Sequence, residues 1–137
     1  MTVASSLRRR VDPVPAVVGL AVGDLLAITV FVVVGEISHG VDPVGQFDRV
    51  LGTLLPFLIG LGIVGIGGSL YTMHSIRSPG HAVSVILPAW VGAVIVAQLL
   101  RATAVFPGDA ATTFAAVSVG VGGVLLISWR AIAAAIV

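Results

Sequence analysis

The stretch PAVVGLAVGDLLAITVFVVVGEI, residues 15–37, decides the fold. Before Glu36 it carries a single charge, Asp24, and its apolar residues run on without the alternation of a half-buried strand. A hydrocarbon core about 30 Å thick takes about 20 residues at a rise of 1.5 Å each, so a helix over this stretch spans it. The pattern recurs three times. No Asp, Glu, Lys or Arg lies between Val50 and His74, between Ala82 and Leu100, or between Ala110 and Trp129. The spans are therefore predicted at 15–37, 50–70, 82–105 and 111–134. Barrel strands would be about half as long, with polar residues alternating. The fold class that follows is all-α: a four-transmembrane-helix bundle, one domain over residues 1–137, with 1–14 as a cytoplasmic N-terminal segment.

Composition points the same way. Of 137 residues, 58% are hydrophobic and 9% charged, too few charges to cover the surface of a soluble domain this small. Net charge is +1, lysine is absent, and the only basic cluster is Arg8, Arg9 and Arg10, which argues against nucleic-acid binding. With no cysteine, disulfides, thiol chemistry and thiolate metal sites are excluded. The bilayer is the expected partner.

Short, turn-rich connections join the spans: Ser38 to Asp48, His74 to His81 around Ser78-Pro79-Gly80, and Phe106-Pro-Gly-Asp109. Successive helices should therefore run antiparallel. The first span is longer than a signal-peptide core and is read as retained. An internal N-terminus puts Arg8, Arg9, Arg10, Arg77 and Arg130 inside and leaves Arg49 and Arg101 outside, which favours both termini in the cytoplasm. Pro15-Ala-Val-Val-Gly19 echoes Pro88-Ala-Trp-Val-Gly92, a trace compatible with duplication of a helical hairpin. Small residues recur every four positions at Gly19, Gly23 and Ala27, at Gly52, Pro56 and Gly60, and at Ala89, Ala93 and Ala97. Such faces allow close helix approach within one bundle or between copies, so a homo-oligomer is one expectation.

Four residues are candidates for function: Asp24, Glu36, His39 and Arg101. Asp24 stands nine residues after Pro15, about 14 Å deep, where a carboxylate costs at least about 2.5–3.5 kcal/mol. It should face inward, either as a proton or cation site or as a neutral group bonded to Gln98, Ser118 or a backbone carbonyl. No cation is expected at its depth, since Trp129-Arg130 reads as an interfacial anchor. Glu36 and Arg101 fall at matching depths near the outer boundary and are expected to pair, with His39 joining them. The three histidines have no usual zinc spacing, and neither a nucleophile elbow nor a phosphate-binding glycine loop is present. No metal, cofactor or catalytic residue is assigned.

The order Gly23-Asp24, Gly35-x-x-Ser38-His39-Gly40, Pro56-Phe57-x-x-Gly60, Leu100-Arg101 and Trp129-Arg130 resembles a domain-of-unknown-function family of small four-helix membrane proteins of salt-loving archaea and actinobacteria. The chain departs from it at Glu36, where such proteins often carry arginine. The resemblance implies a bundle in a prokaryotic cytoplasmic membrane and no activity. The expected function is a non-enzymatic accessory or interaction module. The alternative is a small oligomeric permease or channel for protons or a small ion, using Asp24 or the Glu36, His39 and Arg101 group.

Overall fold

A computed structural model describes residues 10–105 and 112–137. Arg8, Arg9 and the third connection lie outside the described residues. Helix α1 covers Pro15–Ser38, α2 Phe47–Gly67 and α3 Pro79–Arg101; α4 (Thr112–Val117) passes through a π-helical turn (Ser118–Gly122) into α5 (Gly123–Ile136). The last three pieces form one fourth span, Thr113–Ile136, and all four spans are long and apolar enough to cross a membrane.

Local chemistry sets the boundaries, which shift from those predicted. Pro15 opens α1 at a position where the missing N–H costs nothing. Ser78 caps α3, its hydroxyl accepting from the His81 N–H at 3.1 Å, so that helix begins at Pro79 rather than 82. At the end of α2, Gly67 and Gly68 are followed by Ser69 at φ 58°, a left-handed conformation that stops the helix short of 70. Pro56 lies inside α2 and is buried. Proline has no N–H to donate to the carbonyl of Gly52, four residues before it, and the helix continues through. Pro15 opens its helix whereas Pro88 lies well inside α3, so the two copies of the internal echo occupy different heights.

The helices form a square in which α1 touches α2, α2 touches α3, α3 touches the fourth span, and the fourth span returns to α1. Helices α1 and α3 are thus diagonal. The core is aromatic: the Phe57 ring stacks on Trp90 at 5.5 Å, meets Phe31 edge-on at 5.8 Å and lies 5.8 Å from Phe114, taking one ring from each helix. Outward faces are bare hydrocarbon, among them Val18, Leu26, Val34, Ile63 and Leu99. An apolar surface continuous around all four helices suits lipid and not water.

Helices α2 and α3 approach closely at Gly60. A Cβ added at Gly60 would stand 2.4 Å from the Ala93 carbonyl oxygen, whereas one at Gly62 would meet nothing within 4 Å. Both glycines sit in α2, so Gly→Ala at either should gain about 0.5–1 kcal/mol of helix propensity. Gly60→Ala must also push two backbones apart, an overpacking cost of about 1–3 kcal/mol. Thermal unfolding in detergent should rank Gly62→Ala at or above wild type and Gly60→Ala below it; equal stabilities would refute the close contact.

Candidate functional site

Asp24 and the fourth span meet in the half of the bundle where α1 begins and the fourth span ends. The carboxylate is 1% exposed and the Arg130 side chain facing it is fully buried. Arg130 donates from Nε to Asp24 Oδ1 at 3.0 Å and from Nη2 to Oδ2 at 2.5 Å, the two-pronged geometry in which guanidinium matches carboxylate best. Its third nitrogen is used as well. Nη1 donates to the Leu70 carbonyl at 3.0 Å and reaches the Ser75 hydroxyl at 3.4 Å. The guanidinium also lies 5.4 Å from the centre of the Tyr71 ring.

This geometry corrects two expectations. A cation does lie at the depth of Asp24, and Arg130 is no interfacial anchor. Two directions explain the meeting. Side chains on a helix lean toward its N-terminus. Helix α1 and the fourth span run antiparallel, so Asp24 leans toward the end of the bundle where α1 begins and Arg130 away from it, each toward the other. Gly23 makes room for the neighbouring Trp129 ring, which a Cβ would overlap, and the Trp129 indole N–H donates to the Leu20 carbonyl at 3.2 Å.

The segment after α2 completes the site around Arg130. Leu70, Thr72, Ser75 and Ile76 are buried, although Ser75 and Ile76 fall within the stretch His74 to His81 that reads as a turn-rich connection. Thr72 caps the 3₁₀ turn Met73–Ile76 by accepting from Ser75 N–H, and the Ser75 hydroxyl lies 2.7 Å from the carbonyls of Leu70 and Thr72. The chain before α1 straps this segment from below: Asp12 N–H donates to the Tyr71 carbonyl at 3.0 Å, Met73 N–H to the Asp12 carboxylate at 2.8 Å, and Arg10 to the Gly67 carbonyl. Burial, and then the negative charge of Asp24, push the Tyr71 phenol above its ordinary pKa. It stays protonated at neutral pH.

Glu36 and His39 meet at the other end. Both line a cavity of about 370 Å³ between α1, α2 and the start of the fourth span, whose apolar wall includes Phe31, Val32, Phe114 and Val117. Glu36 accepts from the Thr53 hydroxyl at 2.6 Å and from Arg49 Nε at 3.4 Å. The expected Glu36–Arg101 pairing is thereby corrected: matching depth is not enough when α1 and α3 stand on a diagonal. Arg101 is buried and stacks over the Phe114 ring at 4.5 Å. His74 and His81 pack edge-on at 4.9 Å, and among the described residues no group of three or more metal-ligating side chains assembles.

Neither the curated proteins nor the solved structures contain a match to this chain. A family model described as "Protein of unknown function (DUF3054)" matches residues 21–133, from just before Asp24 to just beyond Arg130, and the chain belongs to that family.

Proposed function

We propose that the chain is a multi-pass protein of a prokaryotic cytoplasmic membrane, in keeping with the resemblance to proteins of salt-loving archaea and actinobacteria. In this reading both termini are inside and the bundle is a non-enzymatic accessory or interaction module. The observation that carries it is the filled axis. Phe57, Trp90 and Arg130 are each 0% exposed, and the ion pair below the aromatic cluster uses its donors on carboxylate, carbonyl and hydroxyl. An interior of this kind fixes a shape and leaves the outer faces for lipid and partners. Self-association belongs to the same proposal, with Gly19 as an open small-residue position on α1.

Burial sharpens the argument for orientation. Arg130 and Arg101 are both inside protein and drop out of the loop count. Arg8, Arg9, Arg10 and Arg77 then stand against Arg49 alone, which favours an internal N-terminus. The cavity with Glu36 and His39 favours the second reading, a small oligomeric permease or channel.

Proteoliposomes carrying a pH-sensitive dye separate the two. Under a proton gradient the module reading expects wild type, Glu36→Gln and Asp24→Asn to leak no faster than protein-free vesicles. Flux in wild type that disappears in either variant would replace it with transport. The same chain serves for topology, since it has no native cysteine. Gln46→Cys should react with an impermeant thiol reagent from outside and Ser78→Cys should not; the reverse would invert the bundle.

A further inference from the structure

We propose that the outer cavity is a binding site for an organic ammonium ion with a compact apolar or aromatic body. Among the described residues two carboxylate–arginine pairs stand out, and they are built differently. Asp24 and Arg130 are joined by two short bonds, with side chains 1% and 0% exposed. Glu36 and Arg49 share one contact of 3.4 Å, long for a charged hydrogen bond, and the Arg49 side chain is 57% exposed. The first pair is closed and the second is open on the arginine side.

The Glu36 side chain itself is only 11% exposed and lines a cavity whose wall is otherwise mostly apolar. Thr53 holds Oε1 at 2.6 Å, so the carboxylate is oriented and Oε2 is the oxygen left to Arg49. A carboxylate in such a place is stabilised by a cation that enters with it, and the apolar walls ask that the cation carry an apolar body. Phe31 and Phe114 supply aromatic surface, to which ammonium groups are attracted. At about 370 Å³ the cavity lies in the small-molecule range and admits a body the size of one phenyl ring with a short arm. The ammonium takes the place of Arg49 on Oε2, and Arg49 swings outward to water or headgroups. Arg49 is thus a competitor of the ligand and not part of its site.

The ammonium could come from a dissolved amine or from an aminophospholipid headgroup, since the cavity lies at the expected outer boundary. Both present the ammonium to Glu36, the first on a compact apolar body and the second with its acyl chains lying outside the cavity. The test uses the full chain purified in a zwitterion-free detergent and calorimetric titration with 2-phenylethylamine, which is protonated at pH 7, beside the neutral 2-phenylethanol. Wild type should prefer the ammonium by roughly tenfold or more, equivalent to about 1.4 kcal/mol. Glu36→Gln should erase that preference, and Arg49→Gln should tighten the ammonium several-fold. Equal binding of alcohol and ammonium by wild type, or weaker ammonium binding by Arg49→Gln, would overturn the proposal. If Glu36→Gln fails to fold, the ligand pair and Arg49→Gln still decide. Repeating the titration in nanodiscs separates the sources. Competition by phosphatidylethanolamine but not phosphatidylglycerol assigns the site to a lipid headgroup, and undiminished binding in both assigns it to a dissolved amine. Binding of this kind requires no flux, so the site and the module reading stand or fall on separate measurements.

Discussion

Replacing Arg130 with alanine should cost about 3–5 kcal/mol, enough to remove much of the folded population of a domain whose total stability is of order 5–15 kcal/mol. The loss has two parts. Asp24 would keep its burial while losing both of its short bonds, and the Leu70 carbonyl and Ser75 hydroxyl would lose a shared donor. The larger part is the buried carboxylate left without its cation, since the Leu70 carbonyl keeps its bond from the Ser75 hydroxyl. Arg130→Lys should fall between, because an ammonium cannot present two parallel donors to Asp24 and a third to Leu70 together. The decisive variant is the double change Asp24→Leu with Arg130→Met. It removes both charges, keeps most of the volume, and should be more stable than either Asp24→Leu or Arg130→Met alone. Circular dichroism melts of the four proteins in one detergent read the cycle. Additive losses would show that the two groups do not depend on each other.

Half of that pair was legible in the sequence. A lone carboxylate nine residues into an apolar stretch singles itself out, whereas an arginine seven residues from the last residue looks like the ordinary end of a span. The difference came from the end of the fourth helix. It continues to Ile136, which puts Arg130 six residues inside it, and its side chain leans further in. A helix count from the C-terminus would have carried the signal, since Ala131 to Val137 holds no charge or turn residue.

The second arginine failed for a different reason. Depth along a helix can be counted from sequence, and Glu36 and Arg101 agree in it. Which helices are neighbours cannot be counted that way, and the square places α1 and α3 apart. The buried segment at 69–76 was hidden by its polarity. The Thr72 and Ser75 hydroxyls bond to nearby backbone carbonyls, which lets Leu70 and Ile76 turn inward. Four spans, by contrast, need only length and the absence of charge, both of which are printed in the chain.

Trp90→Ala should have an effect as large as that of Arg130, through packing instead of charge. Trp90 is fully buried, stacks on Phe57, and stands so close to Gly122 that a Cβ there would lie 2.6 Å from its ring. Its indole N–H donates to the Ser118 carbonyl at 2.9 Å. Ser118 begins the π-helical turn of the fourth span, and a π turn shifts the helical hydrogen-bond ladder by one residue, which leaves backbone carbonyls seeking other donors. Trp90 therefore fills the volume and bonds the carbonyl at one place. Truncation opens a large cavity, for which about 3–5 kcal/mol is the usual cost, and leaves Ser118 O short of a donor. Trp90→Phe tests the parts separately. It keeps an aromatic ring against Phe57 and loses the N–H, so it should cost about 1–3 kcal/mol, with the loss concentrated in the fourth span. Hydrogen exchange makes that visible: amides of Ser118–Gly122 should exchange faster in Trp90→Phe than in wild type, while those in the middle of α2 should change little. Uniform exchange in both helices would mean that the indole bond does not hold the π turn, and that Trp90 acts by volume alone.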